Sequence, residues 1–522
     1  MKKFLYSIMR NSLLILFGWF LLGVNQSVFA QSAHLTSKNV SLGSGGAAYQ
    51  DLYHANFVNP ANLMLNHDRR PAITIGIAGG IYTGGGGDLL NISTYNRYLT
   101  TGLTIEGAVA DEMLDKWFGA SDSNIRSASF DAGVIPIGAV YRTRKWSVSF
   151  AQRSRVSGRT SYSRGFADLI FRGLDSEYFD RARAVNSTQE LYGWHEISAG
   201  FAMTVYEQER FFGLGRNLKI HAGIAPKLLL GADYFSGTLH SDLRIEGVSA
   251  ESGGAIQHNF QYSVQTIGRR AEELERYNND RRAGLEPKLN DYLDFESEDI
   301  SGFKGTSVGV DLGVTAELNL HQNAFGNLGL FRGEKKLTVG LAVTDIGALS
   351  FSDRARSFDA ADNFTWNGFT YDQETIDNEF DGDESAYFES VLTDSIGNDI
   401  YGNFETRESS KHTVGLPAMV RLGSHLQLGK FAFMADIGTG IVDRGINSSR
   451  IHLSLGSEYR FLNRIPLRAG MRTGGYSSTT WHAGTGVELK NFEFTVGAAT
   501  TSNSETNGAS IAAAWSGIVV HF

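Results

Sequence analysis

The chain of 522 residues contains no cysteine and only 7 prolines. The absence of cysteine excludes a disulfide scaffold, a thiolate metal site, a cysteine nucleophile and a cysteine-linked lipid anchor. Glycine is frequent, with 60 residues, or roughly 11% against an ordinary usage of about 7%. Because hydrophobic residues make up 42% and aromatic residues 11% of the chain, this glycine excess does not belong to a disordered composition.

Acidic charge is concentrated in one stretch of the sequence. The formal net charge is -9, but residues 352–410 hold 15 acidic and 3 basic side chains, a local charge of -12. The rest of the chain therefore carries a charge of +3. It shows no basic stripe with interleaved aromatic residues, so we expect no nucleic-acid partner.

The first 30 residues have the order of a secretory signal. Three basic residues among the first ten precede an uncharged, mainly apolar run at 13–24, and the stretch 27–30 that follows has the small residues Ser27 and Ala30. A membrane anchor is the alternative, but a spanning helix needs about 20 apolar residues. We therefore predict export with cleavage near Ala30. No later apolar run is long enough for a transmembrane helix, which leaves a closed β-barrel as the membrane-spanning option.

Most of the remaining chain alternates with period two. In 451–461, for example, Ile451, Leu453 and Leu455 alternate with His452 and Ser454. The same pattern recurs at 308–318, 337–343, 467–472, 481–489 and 492–498. Such alternation predicts strands with one apolar and one polar face, which a soluble sandwich would also show. The polar face is rich in glycine, serine, threonine and charge in strands of about 10 residues, which favours a transmembrane barrel.

The connections alternate between short and long. Tight turns are predicted at 142–145, 427–430, 461–465 and 489–492, and long external loops at 83–133, 157–191, 233–305 and 352–410. Short periplasmic turns and long external loops are typical of outer-membrane barrels. We predict an all-β fold, a transmembrane antiparallel β-barrel over 72–522 with about 14 strands. It becomes 16 strands if 233–305 adds a pair, and it follows an N-terminal segment at 31–71.

The predicted barrel assigns two sets of side chains by position. The charged residues expected to face the lumen are Asp311, Glu317, Glu458, Arg460, Arg468 and Arg472. They are either hydrogen-bonded lumen filler or determinants of selectivity. The aromatic residues near the short-turn ends are Trp146, Phe431, Phe461, Phe492 and Phe522. We predict that this second set forms an interfacial girdle.

The segment 41–63 combines a Gly-Gly-Ala turn, an acidic residue and an Asn-Pro-Ala element. The matching positions are Gly45, Gly46, Ala47, Asp51, Asn59, Pro60 and Ala61. This resembles the start of FadL-type outer-membrane transporters of hydrophobic compounds, although Asn62 stands where glycine usually follows. Residues 340–351 and 465–471 also resemble uncharacterised FadL-like barrels of Bacteroidetes.

The resemblance implies that the N-terminal segment is a plug and that small apolar molecules leave sideways through a gap in the wall. It makes Gly45, Gly46, Asp51, Asn59 and Pro60 candidate plug or gate residues. Turn chemistry alone also explains these residue types, so a plug that gates and a simple turn into the first strand both remain open.

Motifs for catalysis, metal or cofactor binding are weak. Ser307 lies in a Gly-x-Ser-x-Gly pattern, but an alternating strand follows instead of a helix. The 13 histidines show no paired ligand spacing, and the glycine run 84–87 lacks the lysine of a phosphate-binding loop. The acidic stretch 377–383 resembles a Ca²⁺ loop, but Phe388 replaces its required glutamate, so a solvated loop is favoured over loose Ca²⁺ or lipopolysaccharide bridging. We expect no enzyme, no metal site and no cofactor.

Three functions remain open from the sequence. The first is passive uptake of small hydrophobic molecules through a plugged barrel. The second is a structural or secretion-partner barrel that binds a surface or secretion protein through its acidic loop 352–410. The third is a general porin. All three place the chain among the lipids of the outer membrane of a Gram-negative bacterium.

Overall fold

The computed structural model describes most of the chain from residue 34 onward. The described residues are 34–65, 72–100, 105, 107–173, 178–211, 215–246, 255–285, 287, 292, 302–322, 331–366, 375, 378–379, 404–442, 447, 449–475, 479–501 and 508–522. The predicted signal segment 1–30 lies outside these ranges. So does the acidic stretch 377–383, apart from 378–379.

The described strands form one antiparallel sheet of 21 segments. They are β1 Ile73–Ile77, β2 Ile81–Gly87, β3 Ile125–Arg142, β4 Trp146–Ser163, β5 Arg183–Ala184, β6 Ser187–Phe211, β7 Gly215–Glu246, β8 Ala255–Thr266, β9 Gly305–Leu320, β10 Lys335–Phe351, β11 Arg356–Trp366, β12 Glu405–Glu408, β13 His412–Gly415, β14 Met419–Leu428, β15 Phe431–Gly440, β16 His452–Phe461, β17 Ile465–Gly474, β18 Thr480–Glu488, β19 Phe492–Thr501, β20 Ala509–Trp515 and β21 Ile518–His521.

The sheet closes on itself into a barrel. The first wall strand consists of β1 and β2, and the last consists of β20 and β21. β1 pairs with β21 and β2 pairs with β20, both antiparallel. The wall therefore has 14 strands, and the predicted antiparallel barrel is confirmed. Both ends of the wall lie at the rim that carries the tight turns, called the short-turn end below.

The helical elements lie in the N-terminal segment and in the long connections. They are α1 Ser37–Ser41, the 3₁₀ turns Leu52–Phe57 and Pro60–Met64, α2 Ile92–Thr94 with a following π turn at Tyr95–Leu99, α3 Gly107–Phe118, α4 Arg164–Arg172 and α5 Gly268–Arg282. In the part of the chain that the structure describes, no helix has the length and apolar character needed to cross a membrane.

The wall strands present apolar side chains outward and polar side chains inward. Leu312, Val314 and Leu341 are 42%, 46% and 48% exposed, whereas Asp311 and Thr315 are fully buried. In a soluble sandwich the apolar faces of two sheets would pack against each other. Here the apolar face looks outward around a filled lumen, which is the arrangement of a transmembrane barrel.

The strands extend further into the predicted external loops than the alternation indicated. Strand residues occupy 83–87, 125–133, 157–163, 187–191, 233–246, 255–266 and 356–366. Beyond the bilayer both faces of a strand contact water or loop side chains, so the alternation that reveals strands fades. β8 pairs with the outer part of β7 and with β11, so the region 233–305 adds no pair to the closed wall.

Candidate functional site

Residues 34–65, called the plug below, lie inside the barrel. Every residue of the plug is buried except Lys38, which is half-buried. Helix α1 contacts β17 to β20, whereas the 3₁₀ turns contact β3, β4, β6, β7 and β9. The carboxylate of Asp51 lies 3.5 Å from the Lys38 ammonium, so this predicted acidic residue has a partner within the plug. The plug therefore reaches from one side of the lumen wall to the other.

Asparagine side chains hold the plug together and attach it to the wall. The amide of Asn59 donates to the carbonyl of Ala47 at 2.6 Å and to the hydroxyl of Thr315 on β9 at 2.9 Å. Asn62 donates to the carbonyls of Ala47 and Gln50 at 3.1 and 3.0 Å and accepts from Thr315 at 2.7 Å. Asn62 departs from the family pattern. Its amide gives the carbonyls of Ala47 and Gln50 hydrogen-bond donors inside the lumen.

The Gly-Gly turn of the plug closes around a carboxylate of the wall. Asp436 on β15 accepts hydrogen bonds from the backbone nitrogens of Gly46 and Ala47 at 3.1 and 2.9 Å. A Cβ at Gly45 would overlap the Asp436 side chain, and Gly46 has a φ of +138°, which favours glycine. Asp436 was not among the predicted lumen residues, although its position on the polar face of β15 could have revealed it.

Glycines of the wall meet the plug directly, and we call them the glycine belt. The belt consists of Gly76, Gly138, Gly200, Gly223, Gly313, Gly340, Gly423, Gly456, Gly470, Gly484 and Gly497. Many are opposite one another on neighbouring strands: Gly76 with Gly138, Gly223 with Gly313, Gly340 with Gly423, Gly456 with Gly470, and Gly484 with Gly497. A side chain at these positions would occupy space that plug atoms fill, which accounts for part of the glycine excess.

The glycine belt predicts a steep cost for a single methyl group. At Gly340 an added Cβ would overlap the carbonyl oxygen of Ala47, whereas at Gly193 its nearest contact would be 3.7 Å away. We expect Gly340→Ala to destabilise the barrel by about 1–3 kcal/mol through overpacking. Gly193→Ala should stay within about 0.5 kcal/mol of the wild type. Unfolding in urea, followed by tryptophan fluorescence, measures both, and equal midpoints for the two variants would contradict tight docking of the plug.

A cluster of buried charges lies on the long-loop side of the plug. The outer ionic cluster consists of Asp131, Arg153, Arg155, Glu196, Lys227, Asp311 and Asp345, whose side chains are at most 2% exposed. Arg153 binds Glu196 at 2.7 Å, and Arg155 binds Asp131 at 2.7 Å. Lys227 contacts Asp311 at 2.7 Å, so the predicted lumen residue Asp311 belongs to this cluster.

A second cluster of charges lies on the short-turn side of the plug. The inner ionic cluster consists of Glu458, Arg460, Arg468 and Glu488. Glu458 is 2.8 Å from Arg460 and 2.7 Å from Arg468, so the structure brings three of the predicted lumen residues together.

The two remaining predicted lumen residues lie elsewhere inside the barrel. Glu317 is 3.2 Å from His221 and also binds Lys336. Arg472 is buried further along β17, beyond the level at which Gly470 meets the plug. The predicted lumen residues therefore form no single site.

The long-loop end of the lumen is apolar, which the prediction of a uniformly polar lumen missed. The aromatic cluster consists of Tyr192, Trp194, Leu229, Tyr234, Ile267, Leu349, Phe351, Ala355, Val414 and Leu416. The Tyr192 and Trp194 rings stack at 5.2 Å, as do those of Tyr234 and Phe351. The Arg155 guanidinium lies 4.6 Å from the centre of the Trp194 ring, so the aromatic cluster rests on the outer ionic cluster.

The predicted girdle residues lie at the short-turn end. Trp146, Phe461 and Phe522 are 40%, 47% and 64% exposed. Phe431 and Phe492 are half-buried, and the Phe431 ring packs 4.8 Å from that of Tyr459. Their exposure on the outer wall makes them available to lipid.

The wall has an interruption where its first and last strands meet. β1 pairs with β21 up to Ile77, and β2 resumes pairing with β20 at Ile81. Residues 78–80 and 516–517, called the seam below, have no cross-strand register with each other. The neighbouring strand β3 has a bulge after Val134 at the same level.

The serine of the Gly-x-Ser-x-Gly pattern has no catalytic geometry. Ser307 lies within β9, so no strand-to-helix turn presents its hydroxyl as a nucleophile elbow would. Among the described residues, no group of three or more histidines and acidic side chains is placed to hold a metal ion.

A closed barrel with an apolar outer face and a lumen filled by its own N-terminal segment defines a plugged transmembrane β-barrel of the outer-membrane type. A sequence model of a protein family, described as a family of unknown function (DUF5723), matches residues 60–499. The chain belongs to that family. Among curated proteins, none matches the chain.

Solved structures with similarity to the chain include bacterial transport channels. The toluene transporter TbuX of Ralstonia pickettii is 12% identical, with 94% of this chain and 99% of that chain covered and a TM-score of 0.40. The P. putida toluene transporter TodX is 10% identical, with 94% and 99% covered and a TM-score of 0.39. A Pseudomonas aeruginosa FadL homologue is 11% identical, with 95% and 99% covered and a TM-score of 0.39. FadL-type channels are thus among the structures that resemble this chain, as the N-terminal motif predicted.

Proposed function

We propose that the protein is an outer-membrane channel for passive uptake of small hydrophobic molecules. The observation that carries this proposal is the aromatic cluster at the long-loop end of a lumen that is otherwise polar. Apolar and aromatic linings with a few placed polar groups are typical of small-molecule sites. In this proposal, an apolar molecule first inserts among the packed side chains of this cluster on the external side.

The axial path beyond the aromatic cluster is closed. The plug fills the lumen, the outer ionic cluster lies on its long-loop side on strands β3 to β10, and the inner ionic cluster lies on its short-turn side on β16 to β18. Separating a buried ion pair leaves uncompensated charges, which costs about 3–5 kcal/mol when one partner is lost. An apolar molecule offers these charges no replacement partner, so axial passage is unfavourable. The same filled lumen disfavours a general porin.

The seam supplies a sideways route in this proposal. On its inner side, the Tyr53 hydroxyl of the plug donates to the carbonyl of Gly79 at 2.8 Å. On its outer side, Ile77, Ile81 and Ile518 are 61%, 44% and 48% exposed, and acyl chains would cover them. Ala78 packs against Gly517 across the seam. Because the seam lacks cross-strand pairing, the proposed opening moves these two backbone segments apart, once Tyr53 is displaced, without breaking a strand ladder. Transfer then follows the concentration gradient into the membrane.

Uptake measurements test the proposal. We expect Trp194→Ala and Phe351→Ala to lower the initial uptake rate of labelled toluene by at least about tenfold, because each removes buried aromatic contact area from the entry site. Trp481→Ala is the matched control, since Trp481 is 55% exposed on the outer wall and should leave the rate unchanged. A labelled long-chain fatty acid, assayed in parallel, separates substrate classes. An unchanged rate for both labels in cells that lack the protein would overturn the proposal.

A further inference from the structure

Three polar side chains, called the polar patch below, interrupt the apolar outer wall on β4 and β6. Gln152 and Ser154 follow Phe150 at alternate positions of β4, so they project outward. The intervening Arg153 points into the lumen and is fully buried. His195 lies directly opposite Ser154 on β6, and all three patch residues are half-buried. Because polar side chains on a lipid-facing surface are costly, the polar patch is a candidate functional site.

The polar patch lies near the external edge of the membrane-spanning band. Ser154 is eight residues further along β4 than Trp146, which lies at the short-turn end. Eight residues at about 3.3 Å each, on a strand tilted by about 40°, rise roughly 20 Å. The apolar band of an outer-membrane barrel is about 25 Å tall. With the long loops outside, as in the proposed function, the polar patch meets the outer leaflet close to where acyl chains join their headgroups.

The pair formed by Ser154 and His195 has one more hydrogen-bond donor than it uses. The Ser154 hydroxyl and the His195 Nδ1 are 2.8 Å apart. Serine and neutral histidine each carry one donor proton, and their mutual hydrogen bond takes one of the two. The Nε2–H group remains in one tautomer and the serine O–H group in the other, and we call either one the remaining donor. Within the described part of the chain, neither side chain makes a second hydrogen bond.

Two other outward serines satisfy their hydroxyls on the wall itself. Ser424 donates to the carbonyl of Ala435 at 3.4 Å, and Ser457 donates to that of Ala469 at 3.5 Å. The remaining donor of the patch requires an acceptor from its surroundings, since a polar group left unpaired in an apolar medium is costly. At this depth the surroundings offer the carbonyl oxygens of the ester and amide groups that link acyl chains to lipid headgroups.

We propose that the polar patch binds an outer-leaflet lipid through a carbonyl oxygen of its acyl linkage. The remaining donor of the Ser154–His195 pair binds this oxygen. The amide of Gln152 projects from the same face of β4, two residues nearer the short-turn end, and donates to a second polar atom of the lipid. The proposal uses the orientation of the proposed function but no step of transport.

The wall around the polar patch suits a lipid in this position. On the short-turn side, Phe150 and Ile197 are 43% and 37% exposed, so they contact the acyl chains. On the long-loop side, the ring of Phe303 meets that of His195 edge-on with 5.9 Å between the ring centres. Phe303 is 67% exposed and gives the headgroup side an aromatic flank.

The same pair does not have the arrangement of a lipid hydrolase. A serine nucleophile needs a histidine base that a third group orients, and its reaction needs donors for the oxyanion. Among the described residues, the contacts of the His195 side chain are with Ser154 and Phe303, and neither is a carboxylate. We therefore assign the polar patch to binding and not to bond cleavage.

Binding of two matched phospholipids to the purified full-length protein tests the proposal. The probes are a phosphatidylethanolamine with ester-linked chains and its ether-linked analogue, which has the same headgroup and chain length but no carbonyl oxygen. Native mass spectrometry measures the apparent affinity of the first lipid bound. We expect the wild type to bind the ester-linked lipid about tenfold more tightly, because the ether-linked lipid leaves the remaining donor without a strong acceptor.

The double variant Ser154→Ala, His195→Leu should bind the two lipids equally, since the hydrogen-bonding pair is lost. The matched control is Ser457→Ala, which removes an outward serine whose hydroxyl bonds to the wall, and it should keep the wild-type preference. Equal affinities in the wild type would overturn the proposal without any variant. A preference that persists in the double variant, or one that disappears in the control, would overturn it as well.

Protein purified directly from the outer membrane identifies the source of the carbonyl group. A phospholipid or lipopolysaccharide mass that is absent from the double variant and retained in Ser457→Ala supports the proposal and names the lipid. The same bound lipids in both variants would contradict it. Lipid binding is measured without uptake, so its failure is distinguishable from failure of the proposed channel.

Discussion

Deletion of residues 34–65 is expected to convert an electrically silent barrel into a conducting one. The plug fills the lumen between the two ionic clusters, and its removal leaves the glycine belt as the lining of an open passage. A barrel of about 8 strands is filled by its own side chains, whereas 16 to 18 strands leave an aqueous channel. With 14 strands, this wall lies close to the open class. Planar-bilayer recordings should show near silence for the wild type and large ohmic steps for the deletion.

Two further variants keep this test informative if the deletion fails to fold. Asn59→Ala, Asn62→Ala removes the amide bonds that tie the plug to Thr315 and should produce brief openings. In the other variant, Ser37→Cys, Thr495→Cys, the hydroxyls that are 2.5 Å apart are replaced by thiols that can link α1 to β19. The absence of native cysteine makes this bond selective. The oxidised cysteine variant should remain electrically silent and still support uptake, because the seam route leaves α1 in place.

Several outcomes would contradict this account of the plug. Large conductance in the wild type would show an open lumen and support a porin. Silence in both the folded deletion and the asparagine variant would show that other residues close the passage. Loss of uptake only when the cysteine pair is oxidised would show that α1 moves during transport, and the plug would then be a gate.

Replacement of Lys227 by methionine is expected to destabilise the barrel by about 3–5 kcal/mol, the cost of breaking a buried ion pair. The Lys227 ammonium lies 2.7 Å from Asp311 and 2.5 Å from Asp345. Methionine has a similar length, so packing is nearly conserved while the only lysine of the outer ionic cluster is lost. Four carboxylates then face two guanidinium groups without access to water.

The temperature at which the folded barrel loses its fast migration on a detergent gel measures this effect. Lys116→Met serves as the control, because Lys116 pairs with Glu112 on the exposed face of α3 and should change little. Adding Asp311→Leu to Lys227→Met should restore part of the loss, since it removes one uncompensated charge. If both lysine variants melt at the wild-type temperature, the outer ionic cluster contributes nothing to stability.

The membrane-spanning strands are predictable because lipid acts on each strand separately. At Leu312 and Val314 the acyl chains select apolar side chains at alternate positions, whatever the neighbouring strand is. The prediction weakens where lipid ends. β7 continues to Glu246 and β8 follows it, but neither shows alternation strong enough to reveal a strand outside the bilayer.

The candidate site was only partly predictable. The N-terminal resemblance directed attention to Asn59 and Gly45, and alternation directed it to Asp311. The aromatic cluster was missed because Trp194 and Phe351 lie on strands whose inner face was expected to be polar throughout. The lumen changes from charged to apolar along its length. Predicting this change requires the height of each residue on the wall, which only strand pairing provides.

The sequence by itself determined the class of fold and the side of each strand that meets lipid, because period-two alternation is a local property of the chain. Only the tertiary structure decided which charges neutralise each other, since Arg155 and its partner Asp345 are 190 residues apart. It also decided that the plug meets glycines on almost every side. These contacts depend on barrel closure and strand register, and both arise from pairing between segments that are distant along the chain.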